Sequence, residues 1–248
     1  MRKFLVIGAA RTGSTLLMQI IQSSPDVKAH FELFHKNVVH IDGVDRSDEI
    51  PQRDAQPFEW LDGVLSSSNK PMVGFKIFPN QNDEVLDALI EDDDVAKIVL
   101  FRENFLAVYS SLLISTARAD WSQSADDATT LGKIDLKSHT WGNTVEFDAA
   151  DFQARYDAYI GFYRRSVKKL VNANQKFLFI EYAETLNEDL MRRIFPFLGV
   201  AQPETISVNL KKNNTSRIMT RFSNRDAVKD YLTQVGKWDW SSESFFVW

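Results

Sequence analysis

The stretch GAARTGSTLL, from Gly8 to Leu17, places two glycines with four residues between them and follows them directly with Ser14 and Thr15. An apolar run, FLVI, precedes it and a second one, LLMQII, follows, so a strand passes through a glycine-rich turn into a helix. Such a turn gathers backbone N–H groups and the positive end of the helix dipole at one point, which suits a phosphate or a similar anion. The spacing matches most of the nucleotide-binding loop G-x-x-x-x-G-K-[ST], but Ser14 stands where the lysine belongs. Arg11, inside the loop, returns a positive charge as a planar fork suited to an oxyanion.

A second discrepancy concerns the metal. Kinases and nucleoside triphosphatases hold Mg²⁺ with a loop hydroxyl and an aspartate at the end of a neighbouring strand. Here the apolar run AKIVLF ends in Arg102, which repels a metal and attracts another phosphate. Ser110 follows eight residues later, in the next helix. At ~1.5 Å of rise per residue it comes within one phosphate's reach of the guanidinium if that phosphate rests along the first turns. Two anion sites are expected: the loop, with Arg11, Thr12, Gly13, Ser14 and Thr15, and Arg102 with Ser110.

The elements that must position these groups follow from hydrophobic periodicity. KFLVIG (3–8), MVGFKIF (72–78), AKIVLF (96–101) and KFLFIEY (176–182) read as buried strands. Helices are expected after Ser14, over 58–65 and 83–90, from about Asn104 to Ser115, and over 184–200, where Pro196 distorts or ends the last one. In DFQARYDAYIGFYRRSVKKL the residues Phe152, Tyr156, Tyr159, Tyr163, Val167 and Leu170 form one apolar stripe, with Asp151 as the expected N-cap. Strands alternating with helices predict a three-layer α/β fold of P-loop type, with a central, mostly parallel sheet flanked by helices. Residues 36–57 are polar and read as a surface excursion, and 117–150 as a loop or lid.

Bulk composition narrows the classes. With 248 residues and 44% hydrophobic content, one domain spanning 1–248 is expected. The 29 basic against 34 acidic side chains give a net charge of −5, which argues against a nucleic-acid-coating surface, so anion sites must be local. The absence of cysteine removes disulfides and thiol nucleophiles and fits a reducing compartment, so a cytoplasmic location is expected. The start MRKFLVIGAA imitates a signal peptide, but Arg11 interrupts the apolar run and an amphipathic helix follows, so a first strand is the expected reading. No segment approaches the ~20 apolar residues of a membrane span.

GAARTGSTLL together with LFRENFLAVYSS resembles the signature pair of sulfotransferases that use 3′-phosphoadenosine 5′-phosphosulfate (PAPS), in particular the bacterial Nod-factor, trehalose and carbohydrate type. VGFKIFPNQ, FIEYAETLNEDLMRRIFPFLGV and KKNNTSRIMTRFSN resemble further family segments, so the likeness spans about residues 3–230. Ala10 and Thr12 depart from the usual proline and serine, which bears on loop detail more than on chemistry.

The resemblance implies that the loop holds the 5′-phosphosulfate and that Arg102 and Ser110 hold the 3′-phosphate. It also implies in-line attack of an acceptor hydroxyl on sulfur without a metal, leaving 3′-phosphoadenosine 5′-phosphate (PAP). Arg11, the Gly13–Thr15 segment and Lys76 would stabilise the developing charge. The segment HFELFH offers His30, Glu32 and His35 as base, and the family's use of a glutamate here selects Glu32. Lys211, Lys212 and Arg217 are candidates to close over the 3′-phosphate, with Arg217 the choice among them.

The acceptor is expected to be a small molecule or carbohydrate shaped by residues 36–70 and 117–150, where Trp60, Trp121 and Trp141 offer stacking faces and Asp120, Asp126 and Asp127 would tolerate a cation. The apolar tail FFVW is a candidate contact surface. Which aromatic stacks on adenine, the acceptor's identity and the oligomeric state are not legible. A small-molecule kinase with a degenerate loop, or a non-catalytic nucleotide-binding protein on the same fold, are the alternatives.

Overall fold

Unbroken apolar runs need cover on both faces, and a parallel sheet between helices provides it. In the computed structural model, which describes residues 1–118, 129–130, 144–187, 189–208 and 214–243, these runs form four of that sheet's five strands, although KFLFIEY, expected to be buried, lies at the edge with Phe179 exposed. Strands β1 (Arg2–Ile7), β2 (Val27–Glu32), β5 (Met72–Ile77), β6 (Val95–Phe101) and β8 (Phe177–Glu181) pair in the order β2-β5-β1-β6-β8, every neighbour parallel. The chain builds one side of β1 first, through β2 and β5, and then the other, through β6 and β8. The boundary between β1 and β6 is therefore the switch point, beyond whose carboxyl edge open α/β sheets place ligands. The Gly8–Gly13 turn leaves β1 at that edge.

The chain divides into two compact units. The first, Met1–Phe101 with Phe162–Ile206, holds the sheet. Its helices are α1 (Ser14–Gln22), α2 (Ile50–Ala55), α3 (Pro57–Ser66), α4 (Asp83–Glu91) and α7 (Asp189–Leu198), with the C-terminal part of α6 (Ala149–Asn172). In α4 an apolar stripe turns inward: Val85, Leu86, Leu89 and Ile90 are buried, and the Asn82 side chain caps the first turn by accepting from the Val85 N–H at 2.9 Å. Helix α7 carries Pro196 in its last turn and stops at Leu198, with Gly199 in the left-handed region at φ 62°.

The polar excursion is more ordered than expected. It contains a two-stranded hairpin, β3 (His40–Ile41) with β4 (Val44–Asp45), and α2. The only buried residue of α2 is Arg53, so no apolar period marks this helix in the sequence.

The second unit, Arg102–Gly161 with Ser207–Trp248, contains α5 (Phe105–Arg118), the N-terminal part of α6 and α8 (Arg225–Val235). It also contains a two-residue antiparallel pair, β7 (Thr129–Thr130) with β9 (Ser207–Val208). Its core is aromatic: Phe105 lies 5.2 Å from Phe152 and 4.9 Å from Tyr159, and Tyr109 stacks on Phe222 at 6.4 Å. Of the stripe on α6, Phe152, Tyr159, Tyr163 and Leu170 are buried, while Tyr156 and Val167 are half-buried. The cap differs: Asp148, not Asp151, accepts from the Ala150 and Asp151 N–H groups, at 2.8 and 2.9 Å. Asp151 instead pairs with Arg155 and accepts from the Tyr109 hydroxyl. Among the described residues no helix is long and apolar enough to cross a membrane.

Gly74 faces Phe4 across the β1–β5 ladder so closely that a Cβ there would collide with the Phe4 carbonyl oxygen and ring. Gly74→Ala should therefore overpack the sheet and destabilise the protein by about 1–3 kcal/mol, read as a fall of several degrees in Tm. An unchanged Tm would mean that Phe4 can move aside.

Candidate functional site

The turn after β1 is built as an anion cradle. Gly13, the N-cap of α1, lies in the left-handed region at φ 85°, and the Tyr182 ring packs so close that a Cβ there would collide with it. Arg11 also lies in that region, at φ 67°, a conformation that non-glycine residues adopt at a cost and that concentrates at functional sites. Thr12 is fully buried, and its hydroxyl closes the turn by donating to the Ala9 carbonyl at 2.7 Å. Ser14 and Thr15 open α1, whose first turn has no acidic residue of its own to repel an anion.

The cation missing from the loop comes from the sheet. Lys76 on β5 is buried, and its Nζ donates to Ser14 Oγ at 3.2 Å and to Thr15 Oγ1 at 3.1 Å. Its remaining partner is Glu32, whose Oε1 lies 3.3 Å away. The rings of Phe31 and Phe78 flank the ammonium at 5.5 and 5.0 Å. Burial pushes the Lys76 pKa down; the Glu32 carboxylate opposes that shift and the Arg11 guanidinium adds to it.

Glu32 reaches Lys76 because β2 carries a bulge. Ala29 pairs with Gly74, yet Lys76 pairs with Glu32, so three steps on β2 match two on β5. Regular pairing would set Phe31 opposite Lys76. The extra residue brings the carboxylate instead, and Gln81 fixes its second oxygen by donating from Nε2 to Oε2 at 2.8 Å. Gln81 is itself held by the Phe78 N–H, which donates to its Oε1 at 3.0 Å. With its side chain about 26% exposed, Glu32 is open to a partner from solvent.

The two histidines of HFELFH are engaged otherwise. His30 is 3% exposed, its Nε2 makes no hydrogen bond, and burial lowers its pKa. His35 Nδ1 accepts from the Asn37 and Val38 N–H groups at 3.3 and 3.2 Å and so caps a turn. Arg53 holds the segment from below: its Nη1 donates to the carbonyls of Leu33 and His35 at 3.0 and 2.8 Å. Trp60 is core, 6.1 Å from Phe34 with its Nε1 donating to Glu49, and does not offer a stacking face.

In the second unit Arg102 is buried, with its backbone N–H and C=O both bonded to the Tyr159 hydroxyl at 3.0 Å. Its guanidinium makes a two-pronged ion pair with Glu243, Nε to Oε1 at 2.8 Å and Nη2 to Oε2 at 2.5 Å. Ser110 is fully buried, donates to the Ala107 carbonyl at 3.2 Å and accepts from Arg221 Nη1 at 3.0 Å. Arg221, also buried, donates further to the Thr215 carbonyl from Nε at 3.0 Å and from Nη2 at 2.5 Å. Arg217 is exposed.

The first unit thus brings Ser14, Thr15, Lys76 and Glu32 together with Gln81 and Tyr182, and the second sets Glu243 on Arg102 and Arg221 on Ser110; Gln81, Tyr182, Arg221 and Glu243 are residues sequence reasoning missed. Gln81 lay within the quoted VGFKIFPNQ, but nothing in its type or spacing marks it. Lys211, Lys212, Asp120, Asp126, Asp127, Trp121, Trp141 and the FFVW tail lie outside the described residues.

No protein-family model matches the chain. No curated protein matches it in sequence. Among solved structures, the crystal structure of a sulfotransferase from Alicyclobacillus acidocaldarius is similar to it at 12% sequence identity, with a TM-score of 0.50 over 96% of this chain and 94% of that one. At that identity the likeness is one of fold, here a central parallel five-stranded sheet flanked by helices.

Proposed function

We propose that the chain is a sulfotransferase that moves the sulfuryl group of PAPS to a hydroxyl of a small-molecule or carbohydrate acceptor. The observation that carries this reading is the Lys76 ammonium, which joins the Ser14 and Thr15 hydroxyls to the Glu32 carboxylate. A helix N-terminus without acidic residues, two hydroxyls and a buried cation fit a sulfuryl or phosphoryl group, and a carboxylate beside them fits a base for the attacking hydroxyl.

PAPS supplies an activated sulfuryl group, whose sulfur bonds to the acceptor oxygen as its bond to the 5′-phosphate breaks. Glu32 takes the acceptor's proton, with Gln81 holding the carboxylate in place. Lys76, Arg11 and the hydroxyls of Ser14 and Thr15 donate to the oxygens on which charge grows, while Thr12 and Gly13 keep the turn in shape. Arg102 and Ser110 are assigned the 3′-phosphate, with Arg221 orienting Ser110. Arg217, exposed in the same segment as Arg221, closes over the same phosphate on this reading. The segments 36–70 and 117–150 shape the acceptor's binding place, and the reaction is assigned to the cytoplasm.

Thermal-shift titration tests the donor. PAP alone, at about 100 times its Kd, should stabilise the protein by ~2.7 kcal/mol, a rise of about 5–10 °C in Tm, whereas ATP with Mg²⁺ should give none. A rise with ATP and Mg²⁺ but none with PAP would assign the fold to a kinase.

Arg102→Ala should weaken PAP at least about tenfold by calorimetry, since a charged hydrogen-bond partner of the 3′-phosphate is lost. Glu32→Gln should lower turnover by about 10²–10⁴-fold and leave PAP affinity unchanged. A Glu32→Gln enzyme as fast as the parent would move the base elsewhere.

A further inference from the structure

The Arg102 guanidinium is engaged by an anion that the chain itself supplies. Glu243 lies 141 residues away in sequence, yet its carboxylate meets Nε and Nη2 in the two-pronged geometry by which arginine also holds phosphate oxygens. Both side chains are only 8% exposed, so the pair excludes most of the water that screens surface ion pairs.

The segment carrying Glu243 is fastened upstream of the carboxylate and at the Glu243 backbone itself. Upstream, Trp240 is buried and packs edge-on against Tyr156 at 5.6 Å. Asn104, two residues after Arg102, donates from Nδ2 to the Trp240 carbonyl at 3.2 Å and to the Ser242 carbonyl at 3.4 Å. The Glu243 N–H donates to the Ser216 carbonyl at 2.9 Å, which ties it to the segment that ends at Arg221. That segment in turn supplies the Arg221 contact to Ser110. The fastening at Glu243 is thinner than at Trp240: one backbone bond and the ion pair itself, against a buried indole.

Resting on the proposed function, we infer that Glu243 is a resident competitor for the 3′-phosphate: it occupies Arg102 between turnovers, gives way to the nucleotide and returns to help expel the product. A 3′-phosphate displaces it because it carries about −1.5 to −2 charge and three acceptor oxygens, against one charge and two oxygens for the carboxylate. A nucleotide with a plain 3′-hydroxyl has nothing to offer Arg102 and leaves the ion pair intact. The affinity for PAP is thus reduced by the fraction of molecules in which Arg102 is already engaged.

Calorimetric titration of PAP and of AMP into the parent and Glu243→Gln proteins tests this. If the ion pair is open about one-tenth of the time, Glu243→Gln should tighten PAP about tenfold and leave AMP, which lacks the 3′-phosphate, unchanged. Hydrogen exchange on the parent chain adds a reading that needs no variant: saturating PAP should speed exchange of the Glu243 amide, and AMP should not. Equal PAP affinity in the two proteins, or an amide that PAP leaves protected, overturns the inference while the sulfotransferase reading stands. Absence of PAP binding to both proteins overturns both.

Discussion

A buried lysine can remain charged only where acceptors surround it, and Lys76 is the cation on which the arrangement of the first unit turns. An ammonium has three N–H bonds, and three acceptors meet them: Ser14 Oγ, Thr15 Oγ1 and Glu32 Oε1. The two hydroxyls come from the first turn of α1 and the carboxylate from the end of β2. The bulge in β2, the left-handed turn at Gly13 and the contact between Gln81 and Glu32 all serve to bring these acceptors to one point. Without them burial would push the lysine toward its neutral form, and the loop would have no ammonium.

The same logic explains the buried arginines. Arg53 gathers the carbonyls of Leu33 and His35, Arg221 those of Ala107 and Thr215, and Arg102 the carboxylate of Glu243. A guanidinium spreads its charge over five N–H groups in a fixed plane, so it can satisfy several main-chain acceptors where a loop must be buried. Two of the three therefore act as cross-braces for irregular segments: Arg53 for the residues after β2 and Arg221 for residues 215–221. Arg53 also pairs with the Asp54 carboxylate, whereas Arg102 meets the Glu243 carboxylate with both prongs.

The parts legible in the sequence were those governed by local periodicity. Strands β1, β5 and β6 and helices α1, α4 and α6 announce themselves because each buries an unbroken run or a clear stripe. Strand β2 did not, since VKAHFE mixes lysine, histidine and glutamate and its bulge breaks the period of two. Helix α2 stayed hidden because its one inward residue is an arginine. Of the site, the loop and Lys76 could be named from type and spacing. Their meeting with Glu32 could not, because it depends on a register shift that moves the carboxylate into the place regular pairing would give Phe31. The Arg102–Glu243 pair joins residues 141 apart, with no local pattern at either end.

The two kinds of cation also respond differently to an incoming anion, and this follows from how each is held. Lys76 has two neutral hydroxyls and a single carboxylate as partners, so a group with more negative charge at the helix end would relieve the burial that now lowers its pKa. The hydroxyls lose nothing in that exchange, since each can turn to donate to the newcomer while still accepting from the lysine. Arg102 is already matched by a full charge with both prongs made, so an anion there gains only the difference between itself and Glu243. On the proposed reading, the grip on the donor is concentrated where the sulfuryl group reacts and is tempered where the nucleotide is merely held. That division favours binding energy realised in the transition state over binding energy that would retain the product.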